Sequence, residues 1–248
     1  MELSQQKIEG LIDQLDSHGV PQIRRIYQAR NRITEQGNKL GIFSGSFNPM
    51  TISHVEMIHA AQSRFELDEV LLVLAKANVD KEVFGLPLTK RLITLSYYAK
   101  KQGNFSVAVS SHGRYIEKIE ALKSVFPSKT EFYFIVGYDT FVRIFDCKYY
   151  TDIYAELDQL FSQCRLIVAN RGNHDAKAIC DFLSFPNRQV YADKIDLIGL
   201  SDFHADVSST DIRSRLESGQ SISDLVPAEI KQLVIDYYQK AINRSHHM

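Results

Sequence analysis

Short apolar runs and helically spaced apolar stripes alternate along most of this chain. Leu40 to Phe43, Val70 to Ala75, Phe132 to Val136 and Arg165 to Ala169 are too short for helices and are bounded by turn residues, so they read as buried strands. Phe105 to Ser110 alternates enough to be another strand, and a looser one lies within Gln189 to Ile198. Between them, Val55, Ile58, Ala61 and Phe65 recur at helical spacing. Further helices begin at Thr89, at Gly137-Tyr138-Asp139-Thr140 with Phe141, Ile144 and Phe145 as the apolar face, and after the turn Asn170-Arg171-Gly172-Asn173. Ile230, Leu233, Val234, Tyr237, Tyr238 and Ala241 form a closing helix after Pro227. The alternation predicts an α/β fold, a doubly wound Rossmann-like parallel sheet of five or six strands with helices on both faces.

Residues 1–36 precede the first strand of that pattern. Ile8, Leu11, Ile12 and Leu15 are helically spaced, Ser17 to Pro21 interrupts, and Ile23, Ile26, Tyr27 and Ile33 resume the spacing. The expectation is an N-terminal helical extension over 1–36, two amphipathic helices packed on a main domain of 37–248. Arg24, Arg25, Arg30 and Arg32 then form the solvated face of the second helix.

A chain of 248 residues can bury a substantial single core. Its net charge of −1 and the lack of any Lys/Arg block argue against a nucleic-acid backbone or an anionic membrane as the main partner. Cys147, Cys164 and Cys180 are widely spaced without a C-x-x-C pair, which points away from structural zinc and disulfides and toward a reduced cytoplasm. No basic start followed by an apolar core marks the N-terminus, and no apolar run approaches the roughly 20 residues of a membrane span. The terminal Ser245-His246-His247-Met248 reads as a frayed tail.

The candidate chemistry sits where strands give way to helices. After Leu40 to Phe43 the chain reads Ser44-Gly45-Ser46-Phe47-Asn48-Pro49-Met50-Thr51-Ile52-Ser53-His54. A strand, a loop of small residues and a helix start make an anion site, because unpaired amides and the positive end of the helix dipole favour phosphate. Thr51 and His54, three apart, can face one ligand from the first turn, or serve as an ordinary helix cap. Val207-Ser208-Ser209-Thr210-Asp211-Ile212-Arg213 repeats the arrangement, with an arginine one turn in that can bind phosphate oxygens bidentately. Asp139, at the carboxyl edge of a strand, can accept hydrogen bonds from ribose hydroxyls or a carboxamide, or cap its helix. Lys76 and Lys81 lie in the loop Lys76 to Leu88.

The wording G-S-F-N-P-x-T-x-x-H resembles the signature of the nucleotidyltransferase superfamily with the [H/T]-x-x-H motif, and within it the nicotinamide/nicotinate mononucleotide adenylyltransferases. The S-S-T-x-I-R element at Ser208 to Arg213, the G-x-D at Gly137 to Asp139 and G-L-P-L-T-K-R-L before Arg91 resemble further parts of that family. The resemblance implies transfer of AMP from ATP to nicotinamide or nicotinate mononucleotide, with small-molecule substrates only. It places His54, Thr51 and Arg213 at the reacting phosphates, Arg213 acting with Mg²⁺. It places Ser44, Gly45, Ser46, Phe47, Lys81, Arg91, Gly137, Asp139, Ser208, Ser209 and Thr210 around ATP and its partner, with no metal-ligand set from the protein. Tryptophan, which such enzymes often stack on the pyridine ring, is absent, so Tyr138, Phe145, Tyr149 or Tyr150 would take its place. Ser111-His112-Gly113-Arg114-Tyr115 resembles only faintly the acceptor loop of the nicotinate enzymes, and His112 is either a ligand contact or a loop histidine. Two alternatives stay open: another member of the superfamily, a cytidylyltransferase or pantetheine-phosphate adenylyltransferase, or a nucleotide-binding protein without turnover. A homo-oligomer is compatible with each.

Overall fold

The computed structural model describes residues 3–77, 85–170 and 174–245. Among them a seven-stranded sheet runs in the order β1-β4-β3-β2-β5-β6-β7. The strands are β1 (Ile23–Tyr27), β2 (Lys39–Ser44), β3 (Glu69–Ala75), β4 (Phe105–Ser110), β5 (Glu131–Gly137), β6 (Cys164–Ala169) and β7 (Ile195–Ile198). All neighbours pair in parallel except β1, which joins β4 antiparallel at the edge. Strands β2 to β6 are apolar almost throughout because both faces of the sheet are covered.

Successive residues feed two separate cores. Val70, Leu72 and Leu74 point to one face and Leu71 and Val73 to the other, as the two-residue period of a strand requires. The first face is covered by α1 (Gln5–Asp13), α2 (Ile52–Phe65) and α3 (Leu88–Gln102), contributing Ile8, Ile58 and Leu92 among others. The chain then crosses to the second face for α4 (Tyr115–Lys123), α5 (Tyr138–Ile144), α6 (Ile153–Phe161) and α7 (Ala176–Leu183), which bury Ile119, Phe141, Leu160 and Ile179. After the short α8 (Pro186–Gln189) and α9 (Asp202–Asp206), α10 (Ser209–Glu217) and α11 (231–245) return to the first face with Ile212 and Val234. The fold is therefore doubly wound, as the alternation of runs predicts. Strand order reverses between β2 and β5, and the crevice beyond the carboxyl ends of those two strands is where such sheets bind ligands.

One expected element is different in kind. The second N-terminal helix is the strand β1, carrying Ile23 and Ile26. Ile23 packs into the core on the second face and Ile26 into that on the first, so their spacing of three reflects opposite faces of a strand, not one face of a helix. A bulge between Arg25 and Tyr27 then turns Tyr27 to the same side as Ile26, completing the helix-like spacing. Arg25 lies over Phe126, 4.6 Å from the ring centroid, and donates to the Val125 carbonyl, so it covers the edge instead of facing water. The looser strand is shorter than its run: Pro186–Gln189 is helical and only Ile195–Ile198 pairs. Cys147 and Cys180 are exposed and Cys164 is buried, all as free thiols. No helix among the described residues is long and apolar enough to cross a membrane.

Phe134 in β5 is fully buried and meets Tyr115 edge-on at 4.8 Å. Phe134→Ala is expected to lower unfolding free energy by about 3–5 kcal/mol, read from chemical denaturation, because it leaves a cavity no neighbour can fill.

Candidate active site

The loop after β2 is held from several directions. Phe47 takes a left-handed backbone conformation (φ 42°), strained for an aromatic residue, and its ring packs under His54 at 5.3 Å with Phe43 at 5.4 Å from the same imidazole. Asn48 Oδ1 accepts hydrogen bonds from the Leu86 amide (3.2 Å) and the Tyr238 hydroxyl (2.5 Å). Arg91 is buried, which holds its pKa below the ordinary value, and donates to the carbonyls of Leu86 (3.0 Å) and Ser46 (2.7 Å). From α10, Ser209 Oγ donates to the Pro49 carbonyl (2.8 Å) and Arg213 Nη1 to the Asn48 carbonyl (2.7 Å). Four separate segments thus fix one loop.

That loop delivers α2 with a capping box. Thr51 is the N-cap: its Oγ1 accepts from the His54 amide (3.3 Å), while the Thr51 amide donates to His54 Nδ1 (2.9 Å). An amide can only donate, so Nδ1 is the unprotonated nitrogen and the hydrogen sits on Nε2. Thr51 Oγ1, 2.8 Å from the same Nδ1, donates to it as well. The pair therefore presents His54 as a neutral imidazole with an Nε2–H donor, on a residue that lines the cleft.

The second half is built alike. Ser208 caps α10 by accepting from the Asp211 amide (3.1 Å), which leaves the amides of Ser209 and Thr210 as the first donors of the turn. Arg213 Nη1 also reaches the Ser209 carbonyl (3.2 Å) and Nη2 the Thr210 hydroxyl (3.1 Å), which folds the guanidinium back over the helix start.

Both halves open onto one cleft of about 510 Å³ at the switch point, reached by Ser44 at the end of β2, Ala75 at the end of β3 and Gly137 at the end of β5. Its opposite wall comes from the second face of the sheet: Arg114, Tyr115 and Lys118 of the α4 start, Arg143 of α5, and Tyr149 with Tyr150. Arg114 is paired with Glu117 (3.1 Å) and Glu156 (2.6 Å). Lys118 is 2% exposed, donates to the Gly113 carbonyl and lies 5.3 Å from the Tyr115 ring; burial pushes its pKa down to about 8. Burial keeps Tyr115 neutral and raises Tyr150 to about 12, and the Tyr150 hydroxyl donates to the Ile144 carbonyl (2.5 Å). Four cationic residues, Arg114, Lys118, Arg143 and Arg213, line the cleft, and among the described residues no carboxylate does. In a chain of net charge −1, that is a local anion site.

The expected site residues separate into groups. Ser44, Gly45, Ser46, His54, Gly137, Ser208, Ser209, Thr210 and Arg213 all meet at the cleft. Thr51 is fully buried and Phe47 nearly so; both position His54 instead of forming the wall. The Gly45 amide is used in bonding Val73 (3.2 Å), so the glycine contributes space, not a donor. Arg91 is likewise a tether of the loop, its guanidinium spent on carbonyls. Asp139 lies in a neighbouring depression of about 310 Å³ that it shares with Arg143, Asp146 and Arg188. Lys81 lies outside the described residues, and Lys76 donates to the Leu15 carbonyl (2.6 Å). Of the four aromatics, Tyr149 and Tyr150 reach the cleft, whereas Tyr138 stacks on His174 at 4.2 Å and Phe145 packs in the second core. His112 is hydrogen-bonded to Ser111 (2.7 Å), and Gly113, Arg114 and Tyr115 supply that loop's share of the wall. Lys118 and Arg143 were not legible as site residues from motifs. The available signal was topological, since each is in the first two turns of a helix following a parallel strand, β4 for Lys118 and β5 for Arg143.

A family model described as cytidylyltransferase-like matches residues 42–215. A protein of Geobacter sulfurreducens named probable nicotinate-nucleotide adenylyltransferase is 27% identical over 213 residues, spanning 79% of this chain and 95% of that one. A Thermoanaerobacter protein of the same name is 26% identical over 216 residues, spanning 83% and 97%. Among solved structures, Plasmodium falciparum nicotinic acid mononucleotide adenylyltransferase complexed with NaAD has a similar fold, with TM-score 0.58, 19% identity, and 84% of this chain and 99% of that one covered.

Two expectations follow from the geometry. Lys118 has a lower pKa folded than unfolded, so between pH 8 and 10.5 the unfolded state binds the extra proton and stability rises with pH. The stability of wild type relative to Lys118→Met should therefore be flat below pH 8 and improve by on the order of 3 kcal/mol toward pH 10.5, read from denaturation curves across pH. Gly85 has φ +102° and a Cβ there would lie 2.6 Å from Asn48 Nδ2. Gly85→Ala should cost about 1–3 kcal/mol in thermal or chemical unfolding, through strain and the displaced Asn48.

Proposed function

The chain belongs to the cytidylyltransferase-like family, and from that premise we propose that it transfers AMP from ATP to the 5′-phosphate of a pyridine mononucleotide, nicotinate or nicotinamide, releasing pyrophosphate. The observation that carries this reading is the cleft with four cationic residues and no lining carboxylate among the described residues, joined to two helix starts, Thr51–His54 and Ser208–Arg213. Such a surface suits the phosphates of one nucleotide triphosphate and one nucleotide monophosphate together.

In this reading a phosphate oxygen of the acceptor attacks the α-phosphorus of ATP. The new P–O bond forms as the bridging bond between α- and β-phosphates breaks, and pyrophosphate carries away the electron pair. The attacking group is already an anion, so no side-chain nucleophile is needed; positioning and charge stabilisation do the work. His54 donates through Nε2–H to an oxygen that gains charge, and remains in place because Thr51 holds Nδ1 from two atoms. Arg213 and the amides of Ser209 and Thr210 receive the departing phosphates. Mg²⁺ bound with ATP would add charge stabilisation on the departing phosphates beside Arg213. Tyr149 and Tyr150 offer the aromatic surface for the pyridine ring.

The curated relatives named as nicotinate-nucleotide adenylyltransferases support a pyridine acceptor, whereas the description of the family model keeps a CTP-using transferase as the second reading. A pyrophosphate-release assay separates them: ATP with a pyridine mononucleotide is expected to react, and turnover confined to CTP would reject the proposal. With that substrate pair, His54→Ala is expected to lower kcat by on the order of 100-fold or more in the folded enzyme, with a lower melting temperature because the Thr51 amide loses its acceptor. A rate near wild type would remove His54 from the reaction.

A further inference from the structure

Of the cleft-wall cations given no part in the proposed reaction, Arg114, Lys118 and Arg143, Lys118 alone is buried. It is nearly fully buried, its ammonium carries three N–H donors, and among the described residues a single acceptor, the Gly113 carbonyl, is bonded to it. No carboxylate pairs with it among the described residues. Glu117, the nearby acid, is bound to Arg114 at 3.1 Å, and Arg114 is neutralised a second time by Glu156. A buried ammonium that Glu117 reaches only through space, with no ion pair, is costly, and an anionic ligand is what offsets such a cost. The Tyr115 ring beneath the ammonium partly compensates, but supplies no negative oxygen.

Its place in the fold says which ligand. His54 and Arg213 reach the cleft from α2 and α10 on the first face of the sheet, whereas Lys118 enters from α4 on the second, together with Tyr115, Tyr149 and Tyr150. Resting on the adenylyl-transfer reading above, we infer that Lys118 is a specificity-determining contact for an anionic oxygen of the acceptor nucleotide, not of ATP. Two groups of that acceptor carry the chemistry, the 5′-phosphate and, in the nicotinate form, the ring carboxylate.

The test is steady-state kinetics of wild type, Lys118→Met and Lys118→Arg with ATP and each pyridine mononucleotide, alongside melting temperatures. Lys118→Met keeps the chain's bulk without its charge. It is expected to raise KM for the acceptor at least 10-fold while KM for ATP stays within two-fold, and Lys118→Arg should recover part of the loss. A rise confined to nicotinate mononucleotide assigns the contact to the ring carboxylate; an equal rise for both acceptors assigns it to the 5′-phosphate. Unchanged acceptor KM in an active, folded Lys118→Met, or an equal rise for ATP, overturns this inference alone. A folded wild type silent with both acceptors overturns the adenylyl-transfer reading and this inference with it. Should Lys118→Met fail to fold, Lys118→Gln is measured in its place against the same outcomes.

Discussion

Two hydrogen bonds from α10 to the loop after β2 make the site a unit: Ser209 Oγ to the Pro49 carbonyl and Arg213 Nη1 to the Asn48 carbonyl. They join segments 160 and 165 residues apart in sequence. The arginine bond, being charge-assisted, belongs to the class worth about 1.5–3 kcal/mol. Their wider effect is geometric. The loop contains a strained Phe47, and a strained backbone persists only where its surroundings over-determine it. Arg91, Leu86 and Tyr238 supply the remaining constraints, each bonded to Ser46 or to Asn48. With the loop fixed, the capping box of α2 is fixed, and with it the tautomer and orientation of His54.

The two faces of the sheet divide the labour of the cleft. The first brings helix starts and hydroxyls suited to phosphate; the second brings arginines, a buried lysine and tyrosines suited to an aromatic anion. Because the parallel strands all end at this crevice, neither set needs a long loop to reach it. With no carboxylate on the lining among the described residues, a chain of net charge −1 still presents a cationic wall to the cleft. The acids belonging to the second wall, Glu117 and Glu156, serve to orient Arg114 from behind.

How much of this could be read from sequence depended on whether a residue's role was local. The strands β2, β3, β5 and β6 were legible because strands covered on both faces are written as continuous apolar runs. The cleft-lining residues His54, Ser209 and Arg213 were legible because a strand-loop-helix junction is a contiguous stretch. β1 was not, since a bulged edge strand buried on alternate faces imitates a helical period. Thr51, Phe47 and Arg91 were placed near the ligand by motif. Only three-dimensional contacts distinguish a wall residue from one that holds the wall: Thr51 is spent on His54 and Arg91 on two carbonyls. Lys118 had no local signal, because its significance lies in burial and in a carboxylate already bound to Arg114.

The proposed reaction requires one cleft to bind ATP phosphates from α2 and α10 and the acceptor from the α4 side. A crystal structure with a non-hydrolysable ATP analogue and nicotinate mononucleotide tests it directly. The predicted result has the triphosphate within hydrogen-bond reach of His54 and of Arg213 or the Ser209 and Thr210 amides, with the acceptor against Tyr149, Tyr150 and Lys118. A nucleotide bound elsewhere, or a triphosphate seated on Lys118 with the acceptor at α10, would contradict it.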